Sequence, residues 1–132
     1  NAALCGHFGC PVVMVSGDEA TCREGRELLG GGATMVAVKR GLGRFSARNF
    51  PVERARAAIE EGARLGIERR AGCRPYVPAR PTRITVEVDT VDRMAPFLGK
   101  PGVEATCELR VVATGADWMA AWDRIWPQGD LA

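Results

Sequence analysis

Pro11-Val12-Val13-Met14-Val15, followed at once by Ser16-Gly17-Asp18-Glu19, is the stretch on which the fold turns. An unbroken apolar, β-branched run of strand length suits a strand covered on both faces, the pattern of a parallel sheet. Ser16 to Glu19 supplies a turn and helix-capping oxygens. Ala20 to Leu29 then carries Cys22, Leu28 and Leu29 among charges, as a surface helix does. Gly30-Gly31-Gly32 ends that helix. Ala33 to Lys39 repeats the buried-strand pattern through Thr34-Met35-Val36-Ala37-Val38, and Gly41-Leu42-Gly43-Arg44 breaks it. Strand, helix and second strand predict an α/β fold with buried, largely parallel strands.

Working outward, residues 1–9 read as a short helix closed by Gly9. Pro51 suits a first helical turn, and Val52, Ala55, Ile59, Ala63 and Ile67 follow at helical spacing, with Glu60 and Glu61 placed to pair with Arg64. This predicts a helix over 51–70. Pro75, Pro78 and Pro81 around Tyr76 make 71–82 an extended connector. The period then changes to strict alternation, with Ile84, Val86 and Val88 against Thr85, Glu87 and Asp89, a strand with one wet face. Asp92 to Leu98 reads as a short helix, Val103 to Thr114 as a long strand, and Gly115 leads into a last helix. The expected division is therefore 1–70 as an α/β core, 71–82 as connector and 83–132 as a smaller β-α-β-α module. Trp118, Trp122 and Trp126 recur every fourth residue and share one helical face. That stripe suits packing in a core or subunit interface, with a ligand platform as the other reading.

Composition narrows the function classes. The chain has 132 residues, 46% hydrophobic and 26% charged, enough apolar residue to bury a core and too much for a disordered or collagen-like chain. The net charge of +2 is spread along the sequence, so no nucleic-acid partner is expected. No apolar run reaches the roughly 20 residues of a membrane helix, so no membrane partner is expected either. Five cysteines, odd in number and without a C-x-x-C pair, suggest neither a disulfide framework nor a zinc knuckle. A reducing cytoplasm is the expected location.

The candidate chemistry is sparse. Gly41-Leu42-Gly43 after a strand superficially resembles a dinucleotide-binding turn, yet no helix opens there and no acidic residue ends a following strand. Lys39, Arg40 and Arg44 could hold an anion beside a helix N-terminus, or form a solvated turn. His7 is the single histidine, and neither Ser16 nor Ser46 sits in a G-x-S-x-G elbow. No self-contained zinc site can be written. Asp18 would be a fair carboxylate for chemistry, but at a strand-to-helix turn its default reading is a helix cap.

A resemblance carries further. Asn1-Ala2-Ala3, Gly6-His7-Phe8-Gly9-Cys10-Pro11-Val12-Val13-Met14-Val15-Ser16-Gly17-Asp18, then Val38 to Arg44 with Ser46-Ala47 and Pro51, resemble the zinc D-aminopeptidase family of the dipeptide-permease operon, the DppA type. Arg83 to Val88, Pro101-Gly102-Val103-Glu104 and the Ala116 to Trp126 helix are similar to that family's C-terminal end. The resemblance covers essentially the whole chain but only the C-terminal half of a family member. It implies a zinc-dependent hydrolase of short peptides bearing N-terminal D-residues, assembled as a homo-oligomer. It also implies that the zinc ligands lie upstream: an Asp-x-Glu pair, two histidines, and a glutamate four residues before the position of Asn1. On that basis His7 inherits no catalytic role and no metal ligand or catalytic residue lies within this chain. The opening on Asn1 rather than Met is read the same way, as an incomplete domain. Asn1 would sit one helical turn from the ligating glutamate, supporting it, or would serve as a capping amide. Lys39 and Arg44 are the candidate substrate or anion pocket. The expectation is a C-terminal aminopeptidase fragment, inactive alone; the alternative is a stand-alone anion-binding or oligomerisation module.

Overall fold

In the computed structural model, which describes residues 1–127, the chain forms two compact units divided between Tyr76 and Val77. The first contains α1 (Ala2–His7), β1 (Met14–Asp18), α2 (Glu19–Leu29), β2 (Thr34–Gly43), β3 (Ser46–Asn49) and α3 (Val52–Glu68), closed by a 3-10 turn at Arg70–Gly72. Its sheet has the order β1-β2-β3. β1 and β2 are parallel, with Met14 opposite Thr34 and Ser16 opposite Val36, and α2 supplies the crossover that a parallel pair needs.

The strand expected at 11–15 is displaced towards Asp18. Pro11 has no N–H to give a ladder, while Ser16-Gly17-Asp18 pairs instead of turning. No separate turn is required, because Asp18 ends β1 and caps α2 at once: the Thr21 backbone N–H donates to its Oδ1 at 2.7 Å. Glycine at 17 lets that first turn lie against the strand, since a Cβ there would stand 3.0 Å from Thr21 Cγ2.

β2 does not break at Gly41-Leu42-Gly43. It runs on to Gly43, turns through Arg44-Phe45 and returns antiparallel as β3, with Arg40 opposite Arg48 and Gly41 opposite Ala47. The expectation of largely parallel strands is thereby corrected, for only the β1/β2 ladder is parallel among the four described. Gly41 reads as a breaker from sequence, but it is glycine because a Cβ would meet Asp18 Oδ2 at 3.0 Å.

α3 has nearly the predicted span, with a different packing face. Val52, Ile59 and Ile67 are exposed, while Gly62 and Gly66 are buried. The helix backbone comes down onto the sheet so closely that a Cβ on Gly62 would lie 2.3 Å from Val36 Cγ2, and one on Gly66 2.7 Å from the Val13 carbonyl oxygen. Arg64 pairs with Glu61 and with Glu68, not with Glu60. All three side chains are exposed, so these pairs contribute little.

The second unit holds β4 (Thr82–Glu87), a 3-10 turn at Ala95–Phe97, β5 (Val103–Cys107), β6 (Arg110–Gly115) and α4 (Trp118–Ile125), with antiparallel strands ordered β4-β6-β5. The β-α-β-α expectation fails at two places. Pro96 confines the 92–98 segment to a 3-10 turn, and a turn at Glu108-Leu109 folds the long strand into a hairpin. β6 is central and brings Val111, Val112 and Ala113 into the core; α4 covers it with Ala121 and Ile125. Asp117 caps α4 by accepting from the Ala120 N–H at 2.9 Å. The tryptophans form a ladder beside this core, with ring centroids 4.9 Å apart for Trp118 and Trp122 and 4.3 Å for Trp122 and Trp126. Phe97 meets Trp126 edge-on at 6.0 Å.

The close approach of α3 yields a prediction. Alanine for an exposed helical glycine normally stabilises by about 1 kcal/mol. Gly62→Ala and Gly66→Ala should instead destabilise, by about 1–3 kcal/mol, because the methyl has nowhere to go. Urea unfolding midpoints measure this, and a raised midpoint in either variant would show that α3 packs elsewhere.

Candidate functional site

The ladder between β1 and β2 is irregular at one point. Gly17 lies opposite Ala37, but Asp18 lies opposite Lys39, so Val38 is the extra residue of a bulge. Such an insertion re-aims the side chains beyond it. Here it sets the Lys39 ammonium near the Asp18 carboxylate at the carboxyl end of the parallel pair, and the β2–β3 hairpin then brings Arg44 to the same place. Asp18, Lys39, Gly41, Arg44, Phe45 and Ser46 are among the residues lining a cleft of about 290 Å³. The glycines keep its floor low: a Cβ on Gly43 would approach Ser46 Oγ to 3.3 Å.

Asp18 is held below the usual carboxylate range chiefly by the Thr21 backbone N–H, next by the Thr21 hydroxyl, with the Lys39 charge adding to both. The cleft therefore presents a fixed anion and two cations. Arg40 is not part of it, because its guanidinium turns to Glu19 at 3.7 Å. The Arg44 guanidinium lies over the Phe45 ring, 5.4 Å from its centroid, at the hairpin tip where Phe45 is 94% exposed. Of the cations singled out in the sequence, the structure thus brings Lys39 and Arg44 together.

Asn1 and His7 lie apart from the cleft lining. Asn1 is the exposed N-cap of α1; its carbonyl accepts from the Cys5 N–H at 2.9 Å and its side chain makes no capping bond. His7, at the other end of α1, packs edge-on against Phe8 at 5.0 Å. Ser46 lines the cleft without a histidine beside it. The glycine segment 41–43 lies within a hairpin rather than at a strand-to-helix turn, so it makes no phosphate cradle. Among the described residues no group of three or more His, Cys, Asp or Glu is placed to hold a metal ion. A zinc ion does not fit the donors that these residues offer.

The sequence model of the M55 peptidases, described as D-aminopeptidase, matches residues 1–126. The chain belongs to the M55 peptidase family. No curated protein matches it. This M55 chain is similar in structure to the Zn-dependent D-aminopeptidase DppA from Bacillus subtilis, a self-compartmentalizing protease. The TM-score is 0.83 at 21% identity, over 96% of this chain and 46% of that one. The likeness shows a shared fold, and the M55 chain spans less than half the length of DppA.

In the sequence Asp18 is a fair carboxylate for chemistry with a cap as its default role; its second oxygen, turned towards Gly41, is visible only in the structure. The spacing of an acidic cap at a strand end and a lysine in the next strand hints at proximity, but the bulge that aligns them has no sequence signature.

The electrostatics can be tested. A carboxylate whose folded pKa is lowered stabilises the fold above its unfolded value, 3.8, and loses that contribution as pH falls through the folded value. Asp18→Asn keeps a capping oxygen and removes the charge. The wild type should melt higher than Asp18→Asn at pH 7, and the gap should close below about pH 3.8. An unchanged gap at low pH would mean that the charge is not what Asp18 contributes.

Proposed function

We propose that this chain is the C-terminal part of a metal-dependent aminopeptidase acting on short peptides with N-terminal D-residues. The observation that carries this reading is the pairing of two facts: the M55 family matches 126 residues here, while the chain spans 46% of the similar DppA structure. In this reading the zinc is bound by residues outside the chain. The chain supplies the scaffold, the cleft wall formed by Lys39 and Arg44, and contacts between copies in a homo-oligomer. Asn1, at the N-terminal end of α1, supports a metal ligand carried by the preceding segment. Exposed Val52, Ile59 and Ile67 on α3 and Leu42 on β2 offer apolar surface for such contacts. Five free cysteines agree with a reducing cytoplasm as the site of action.

A second reading is favoured by the cleft itself: a stand-alone module that holds an anion between Lys39 and Arg44 and has no peptidase activity. Metal and turnover assays test the first reading. The purified chain, dialysed against zinc and assayed with D-Ala-D-Ala, should retain no stoichiometric metal and release no D-alanine. Zinc-dependent turnover by the chain alone would overturn the assignment of the metal ligands to residues outside it.

A further inference from the structure

We propose that Cys5 and Cys10 form a reversible redox pair, closing a disulfide across the C-terminal turn of α1 when the chain meets an oxidised low-molecular-weight thiol. The turn itself brings them together. The Cys10 N–H donates to the Cys5 carbonyl at 2.8 Å, the Gly9 N–H donates to the Gly6 carbonyl at 3.0 Å, and Gly9 has a φ of 71°. Two such nested bonds around a left-handed glycine make a Schellman motif, whose outer donor residue commonly packs its side chain against the residue that accepts from it. Here the outer pair is Cys10 and Cys5. The path through the carbonyl, the hydrogen bond and the N–Cα bond keeps their Cα atoms within about 7 Å, the limit beyond which a disulfide needs the backbone to move.

Accessibility separates this pair from the other thiols. Cys10 is exposed and Cys5 half-buried. Cys22 is buried, and burial pushes its thiol up, so little thiolate forms there. The Cys73 thiol donates to the Gly32 carbonyl at 3.2 Å, and Cys107 lies on β5 in the second unit. The order of reaction follows. The Cys10 thiolate attacks one sulfur of the small disulfide, forming a mixed disulfide and expelling one small thiolate, which takes up the proton that Cys10 lost. The Cys5 thiolate then attacks the Cys10 sulfur. The Cys5–Cys10 bond forms, the second small thiolate leaves, and it takes up the proton from Cys5. The two cysteines are oxidised by two electrons and the small disulfide is reduced to two thiols. In a reducing compartment the pair rests as the dithiol and the bond is transient. Oxidation adds a covalent tie to the turn that leads from α1 towards β1. The pair uses neither metal nor peptide, so it stands apart from the aminopeptidase reading.

The test treats the reduced 132-residue chain with glutathione disulfide, blocks remaining thiols by alkylation, and maps the products by mass spectrometry without reduction. Chymotrypsin cuts after Phe8, between the two cysteines, so a Cys5–Cys10 bond leaves the two fragments joined until a reductant is added. The wild type should give those joined fragments, with the bond on Cys10 by fragmentation. In Cys5→Ser the second step is lost, and glutathione should accumulate on Cys10 about tenfold above the wild-type level, because no intramolecular thiol competes for the mixed disulfide. Cys5→Ala, which keeps an apolar group at the half-buried position, should behave as Cys5→Ser does. A glutathione adduct on Cys10 as abundant in the wild type as in both variants would overturn the pairing. So would a bond from Cys10 to any other cysteine, or an unmodified Cys5 and Cys10 under conditions that glutathionylate Cys107.

Discussion

The Asp18 carboxylate is the point at which the first unit is tied together. One oxygen accepts from the Thr21 N–H and so ends β1 and starts α2 without an intervening turn. The other stands over Gly41, where a side chain would displace it. Across the ladder the bulge sets Lys39 opposite. Strand end, helix start, bulge and hairpin floor all meet at this one short acidic side chain. A longer carboxylate would reach past the Thr21 N–H and crowd Gly41, and an apolar residue would leave the helix end uncapped.

The same unit illustrates packing by absence. α3 places glycines, not its β-branched residues, against Val36 and the Val13 carbonyl, so the helix axis lies closer to the sheet than leucine-sized contacts would allow. The consequence is that Val52, Ile59 and Ile67 remain at the surface. Their apolar area is available to whatever else the family fold places there, which agrees with a chain spanning 46% of the similar DppA structure. The second unit is conventional by comparison: a central strand with Val111 and Val112 under a capped helix, and an indole ladder along the helix flank.

Much of this was legible in the sequence, and the failures have physical causes. The α2 and α3 helices, the Asp18 cap, the alternating strand at β4 and the last helix follow from period and capping chemistry alone. The family is legible too, through its motif blocks. Periodicity could not say which face of α3 is buried, because a stripe of Val52, Ile59 and Ile67 outscores two glycines on any hydrophobic reading. Nor could it find β3, since Ser46-Ala47-Arg48-Asn49 has neither apolar alternation nor burial; its pairing is set by the neighbouring strand. Lys39 and Arg44 were visible as cations and not as neighbours of Asp18, because register is a property of the pair of strands.

The most direct measurement of the central claim is the coding sequence immediately upstream of the Asn1 codon. A C-terminal half of an aminopeptidase requires a frame that stays open through a glutamate four residues earlier, two histidines and an Asp-x-Glu pair, the ligands that the family resemblance implies. A stop codon or an initiation codon directly before Asn1 would contradict it and leave the anion-binding module as the function of this fold.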